Sequence, residues 1–203
     1  MGDSCWRKTI ACPDFPILLG GTLVGPFVNG SVNWLARHNI NCHMYKWKNV
    51  TINQLVILSF DMRMEACKYM MLPDDFFEAP QDEPTLVVLR DRLCLYYVHM
   101  RTHFILWEMK EFGVQESWTR LVNVSYVQLG ISVNLINYVD WLFPICLSEN
   151  GNVMLLASKE AFDDIIMYNR RDDRAENIEL LDNQIWHADE HFQSLVLPRP
   201  LPH

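Results

Sequence analysis

Seven histidines and twenty-five carboxylates are the side chains from which a metal or acid–base centre would be built in this chain. The densest group is Trp186-His187-Ala188-Asp189-Glu190-His191. It does not have the His-Glu-x-x-His pattern that sets two imidazoles and a general-base carboxylate on one helical face, so a solvated polar loop is the expected reading. His99 and His103 flank a turn and are expected to point apart. The carboxylate pairs Asp74-Asp75, Asp163-Asp164 and Asp172-Asp173 are neighbours in loops, where adjacent side chains diverge and water screens them. A glycosidase pair would have to be assembled in space from separate strands. Gly20-Gly21 lacks the rest of either phosphate-binding fingerprint, and no Gly-x-Ser-x-Gly elbow occurs. Arg170-Arg171-Asp172-Asp173-Arg174 alternates its signs and reads as a hairpin tip. These residues therefore assign no catalytic group, no metal ligand and no cofactor.

Aromatic side chains are the remaining chemistry. Trp34, Trp107 and Trp118 fall at regular strand positions, where packing is their expected role. Tyr45 and Trp47 lie in Tyr45-Lys46-Trp47-Lys48, Phe76 and Phe77 in an acidic loop, and Trp141 and Trp186 in or near connections. An exposed aromatic at such a place anchors a partner well, because it buries a large area at low entropic cost. These six are the candidate partner-binding residues.

Composition bounds the setting. The chain has 203 residues, half of them apolar, which is enough for a sizeable core. Seventeen basic against twenty-five acidic side chains give a net charge of −8, which disfavours a general nucleic-acid binder. No apolar stretch is long enough to cross a bilayer, and the opening Met1-Gly2-Asp3-Ser4-Cys5-Trp6 has no signal-peptide core. Cys5, Cys12, Cys42, Cys67, Cys94 and Cys146 lack zinc-knuckle spacing and read as reduced thiols, which implies an intracellular setting in cytoplasm or nucleus. Asn29-Gly30-Ser31, Asn49-Val50-Thr51 and Asn123-Val124-Ser125 match the glycosylation pattern by chance on that reading.

The elements that must position these residues are strands. Apolar runs Thr22–Val28 and Ser31–Ala36 flank Asn29-Gly30, the strongest short hairpin signal. Further strands are expected over Gln54–Asp61, Glu65–Met71, Thr85–Leu89, Arg92–Val98, His103–Met109, Trp118–Val124, Trp141–Leu147, Asn152–Ala157, Asp164–Asn169 and Arg174–Leu180. The turn residues Gly30, Asp91 and Gly151 recur at intervals of 61 and 60 residues. Each precedes an apolar strand: Val32-Asn33-Trp34-Leu35, Leu93-Cys94-Leu95-Tyr96 and Val153-Met154-Leu155-Leu156. The next strand in each unit ends in an aromatic and then a polar residue: Phe60-Asp61, Trp107-Glu108 and Tyr168-Asn169.

Four short antiparallel strands, repeated, are the sequence signature of a propeller blade. The expected fold is all-β, a propeller-like array of four-stranded antiparallel blades, incomplete with about three full units. A sandwich of the same strands is the structural alternative. The domain is expected to span 1–203, with repeat units at 22–73, 85–124 and 141–181. Cys5-Trp6-Arg7-Lys8 mirrors Ser117-Trp118-Thr119-Arg120, as if a preceding unit ended there, and His191–Leu197 resembles the first strand of a further one.

The assembled pieces resemble the F-box-associated domain of plant F-box proteins, a family that includes members named for kelch repeats. The resemblance is carried by Asp3-Ser4-Cys5-Trp6-Arg7-Lys8, Phe27-Val28-Asn29-Gly30-Ser31-Val32-Asn33-Trp34-Leu35, Ile57-Leu58-Ser59-Phe60-Asp61-Met62 with Glu65, and Met71-Leu72-Pro73. It continues through Leu93-Cys94-Leu95 and the run Leu106-Trp107-Glu108-Met109-Lys110-Glu111-Phe112-Gly113-Val114-Gln115-Glu116-Ser117-Trp118-Thr119. Asn150-Gly151-Asn152-Val153-Met154-Leu155-Leu156, Tyr168-Asn169 and Phe192-Gln193-Ser194-Leu195-Val196 complete it.

The resemblance implies a non-enzymatic, substrate-recruiting domain of a cullin-type ubiquitin ligase, binding a target protein through its loops. No F-box precedes Asp3, so docking on the ligase adaptor is expected only with an F-box upstream. A carbohydrate-binding or glycan-active propeller, and a truncated regulatory fragment that competes for targets, are the alternatives.

Overall fold

The structure, a computed structural model, describes residues 17–19, 25–38, 47, 50–51, 54–76, 83–131, 142–158 and 165–178. Thirteen strands form among them, in three antiparallel sheets. The first sheet holds β1 (Ile17–Leu19), β2 (Phe27–Val28), β3 (Ser31–His38), β4 (Leu55–Asp61) and β5 (Ala66–Met70). The second holds β6 (Thr85–Leu89), β7 (Arg92–His99), β8 (His103–Met109) and β9 (Trp118–Ser125). The third holds β10 (Leu142–Leu147), β11 (Val153–Ser158), β12 (Ile165–Asn169) and β13 (Arg174–Ile178). Strands in the second and third sheets pair in chain order, as the repeat requires.

The first sheet departs from the expected single strand over 22–28. β2 pairs with the start of β3 through Phe27↔Val32 and Val28↔Ser31, while β1 pairs with its end from Ile17↔His38 to Leu19↔Ala36. The two short strands thus share one edge, and the sheet has four strand positions. Between them, Asn33 fixes the chain: its backbone N–H and its side-chain amide both donate to the Pro26 carbonyl, at 3.1 and 3.2 Å. Gly25 belongs to the same contact, since a Cβ there would stand 2.6 Å from the Asn33 carbonyl oxygen.

Turn chemistry explains where the strands stop. Asn29 and Gly30 both take positive φ, at 50° and 75°, as a two-residue hairpin matched to strand twist requires. The polar residue after the repeated aromatic also has a structural meaning. Asp61 Oδ1 accepts the Arg63 and Met64 amides at 2.8 Å, and Asn169 Oδ1 accepts those of Arg171 and Asp172 at 3.0 and 3.3 Å. Both side chains replace a backbone acceptor and fold the β4–β5 and β12–β13 turns. Glu108, the third member, does something different: it is buried and accepts Arg92 Nη1 at 3.2 Å. Its turn is longer and is closed by Ser117, whose hydroxyl oxygen accepts the Glu111 amide at 3.1 Å and lies 2.7 Å from the Val114 carbonyl oxygen, to which it donates.

The sheets stack face to face. Alternate residues of β7 and β8 divide the middle sheet's two surfaces. Leu93, Leu95, Tyr97, Ile105, Trp107 and Met109 join Leu35, Leu55, Ile57 and Met70 of the first sheet in one apolar cluster. Cys94, Phe104 and Leu106 join Met154, Leu156, Ile166 and Tyr168 of the third sheet in another. Burial of each large aliphatic or aromatic side chain here contributes about 1.5–3 kcal/mol. The middle sheet is therefore covered on both faces, as in a radial array and unlike an outer sheet of a two-layer sandwich.

The repeated aromatics keep their orientation. Trp107 faces the first sheet and Tyr168 faces the second, so each looks toward the preceding sheet. Phe60 pairs with Val32 and Cys67 on the face of the first sheet that points away from the second. On the aromatic's side of the neighbouring strand stand Val32 and Trp34, then Leu95 and Leu93, but Met154 and Leu156 in the third unit. The third unit is thus shifted by one residue against the spacing read from sequence. The stretches 5–8 and 191–197 lie outside the described residues. Among the described residues no helix is long and apolar enough to cross a membrane.

Candidate partner-binding rim

Strand direction alternates within each sheet, so the β3–β4 connection and the β7–β8 turn leave on one rim, where β5 also ends and passes to β6. The two aromatic-bearing connections predicted as recognition loops meet there. Trp47, half-buried, packs against the apolar cluster between the first two sheets, and its carbonyl accepts the Val50 amide at 2.8 Å. Phe76 enters the same cluster from the β5–β6 connection.

Phe76 requires a correction. Its ring is only 2% exposed and stands edge-on to Tyr97, with centroids 5.0 Å apart and planes at 88°. That is a core contact between a connection and the middle sheet, and it leaves no free aromatic face for a partner. Pro73 is the reason: it ends β5, and its carbonyl accepts the Phe76 amide at 3.1 Å in a tight turn that folds the ring inward. Exposed at this place instead are Met71, Asp74 and Asp75. Tyr45, Phe77, Trp141 and Trp186 lie outside the described residues.

The connection is clamped from the far side of the middle sheet's outer strand. Trp118 Nε1 donates to the Met71 carbonyl at 3.1 Å. Gln115 Nε2 donates to the Leu72 carbonyl at 3.1 Å and to Asp74 Oδ1 at 2.6 Å. Lys68 Nζ stands 4.6 Å from the centroid of the Phe112 ring. Residues of the 107–119 run thus tie the second sheet to the end of the first. Of the tryptophans expected to pack, Trp107 and Trp118 are buried, and Trp34 is half-buried against Ala36, Val56 and Leu58.

Burial raises the Tyr97 phenol, with the Trp107 side chain and the Arg120 charge acting the other way. Tyr168 is pushed up to about 12 by burial and by the hydrogen bond its hydroxyl donates to Asp173.

Sequence reading also misplaced two histidines. His99 and His103 do not point apart: they stand directly opposite each other at the end of the β7–β8 ladder, on the face that carries Tyr97 and Ile105. The three-residue turn between them, with Met100 and Arg101 both at positive φ, returns the chain in register and places both side chains on one face. No group of three or more histidine, cysteine or acidic residues converges as a metal site among the described residues. Exposed Phe27, Met62 and Met64, on the opposite rim, were likewise not singled out. No family model matches the chain, and neither a curated protein nor a solved structure matches it.

Proposed function

We propose that this chain is a non-enzymatic protein-binding module, acting as the substrate-recruiting domain of a cullin-type ubiquitin ligase in the manner of the F-box-associated domains it resembles. The observation that supports this reading is the convergence of two connections, carrying Trp47 and Asp74-Asp75, on one rim over a shared apolar cluster. Such a rim varies in sequence without disturbing sheet packing, which is what a recognition surface needs. The half-buried Trp47 supplies an apolar anchor, and Asp75 beside the Gln115-bound Asp74 supplies negative charge. Ubiquitin transfer would take place on partner subunits and would need from this chain only proximity.

The test uses Trp47 and Asp75, because replacing Phe76 would disturb the core. Full-length chain and its Trp47→Ala/Asp75→Lys variant serve as bait in quantitative affinity capture. The reading predicts a set of proteins enriched on the unaltered chain and lost from the variant, with ubiquitin-conjugated forms among them. Equal recovery on both baits contradicts the rim as the recognition surface.

A further inference from the structure

The histidine pair at the end of the β7–β8 hairpin has a geometry that the recognition reading does not use. His99 and His103 are cross-strand partners, so their Cβ atoms lie about 4.5–5.5 Å apart with both imidazoles on one face. Both are partly exposed, at the rim end of the face that continues through Tyr97 and Ile105. Two imidazoles at this separation are able to reach one ion.

The turn between them also engages one ring nitrogen of His103. Thr102 Oγ1 lies 3.3 Å from the His99 carbonyl oxygen and 2.9 Å from His103 Nδ1. The Thr102 amide already donates to that carbonyl at 3.0 Å, and the hydroxyl donates to or accepts from Nδ1 according to the imidazole tautomer. In the tautomer that carries its proton on Nδ1, the imidazole donates to Thr102 Oγ1. That tautomer leaves the lone pair of His103 on Nε2, the atom farther from the backbone. This is the outer-sphere arrangement that orients a metal-ligating histidine and fixes its tautomer.

We propose that His99 and His103 form a two-histidine site for a divalent transition-metal cation, with Thr102 as the residue that positions His103. Two neutral nitrogen ligands suit Cu²⁺ best, then Ni²⁺ and Zn²⁺, and offer nothing to Mg²⁺. Water fills the remaining coordination positions, which leaves the ion open to a ligand from a bound protein at the same rim as Trp47.

The test must separate this pair from the five other histidines of the chain. Backbone amide NMR spectra are recorded on the whole protein with substoichiometric CuCl₂, whose paramagnetism broadens nearby resonances. Broadening centred on residues 98–104 is expected, and it disappears in His99→Gln/His103→Gln. ZnCl₂ titrations followed at the same resonances should show weaker binding, and MgCl₂ none. Thr102→Val retains both ligands and is expected to weaken Cu²⁺ binding about tenfold through loss of the orienting contact. An unbroadened 98–104 segment, or broadening that persists in the double variant, overturns the site. Unchanged affinity in Thr102→Val overturns the positioning role.

Discussion

The middle sheet makes two junctions of similar apolar content, and they are fastened by different chemistry. Toward the first sheet the fastening is aromatic and directional: Trp107, Trp118, Tyr97 and Phe76 pack together, while Trp118 and Gln115 hold the backbone at Met71 and Leu72. Toward the third sheet the core mixes aliphatic side chains, Leu89, Leu106, Met154 and Leu156, with the buried aromatics Phe104 and Tyr168. Its polar contacts are carboxylate-centred. Asp173 accepts Gln128 Nε2 across the sheets at 2.8 Å and the Tyr168 hydroxyl within the third sheet at 2.7 Å, while Glu108 is paired with Arg92 within the second. Arg170 Nη1 adds a bond to the Gly151 carbonyl at 2.5 Å. The first junction is tied by indole and amide donors to backbone carbonyls and the second by an amide donor to a carboxylate, so the two should respond to different perturbations.

The largest expected effect is at the first junction. Trp118→Ala removes a side chain that is 8% exposed together with its bond to Met71, and should cost about 3–5 kcal/mol in urea unfolding. A loss below about 1 kcal/mol would show that the ring is not packed between sheets. Next comes Arg92→Ala within the second sheet, which leaves the Glu108 carboxylate buried without its guanidinium. It should cost about 2–3 kcal/mol, and Arg92→Ala/Glu108→Leu should recover part of that loss. No recovery would mean that burial of the charge is not the cause.

Tyr168→Phe deletes only a hydroxyl and its bond to Asp173, an effect of about 1–2 kcal/mol at neutral pH. Its pH dependence sharpens the comparison. The folded protein holds the Tyr168 phenol at about 12, above its ordinary value of 10.0, so folding favours the protonated form. The resulting stability is fully present below pH 10 and lost as pH rises toward 12. Unfolding followed across that window should fall more steeply for the unaltered chain than for Tyr168→Phe. Parallel curves would exclude this group.

The smallest effect is at the Asp61 turn. The Met64 and Arg63 amides hold its carboxyl below the usual 3.8, so the stability it contributes above that value is lost as pH falls through the lowered one. Asp61→Asn should remove this acid dependence while keeping the turn's acceptor. A retained dependence would assign it to another carboxylate.

How much of this was legible in the sequence follows from the range of the signal. Strand positions, the Asn29-Gly30 turn and the three-unit repeat are local patterns of apolar alternation and turn chemistry, and all three appear in the sheets. Trp107 and Trp118 were placed in the core for the same reason. The direction of Phe76 was not legible, because a ring in an acidic loop turns inward only when Pro73 folds the segment against Tyr97, 21 residues later in the chain. Register around the Met100-Arg101-Thr102 turn was not legible either: the positive φ of two non-glycine residues has no strong sequence signal, yet it decides that His99 and His103 face the same way. The second junction joins Gln128 to Asp173, 45 positions apart, and no periodicity announces such a pair.

The second sheet is covered on both faces by its neighbours, and native-state amide hydrogen exchange reads that cover strand by strand. β7 and β8 are paired along both edges and buried on both sides, whereas β13 is mostly exposed and, among the described residues, an edge strand. Amides of 93–98 and 104–109 are expected to exchange only through global unfolding, with the slowest rates in the molecule, while the non-ladder amides of 174–178 exchange far faster. Comparable rates in the second sheet and in β13 would contradict the stacked arrangement.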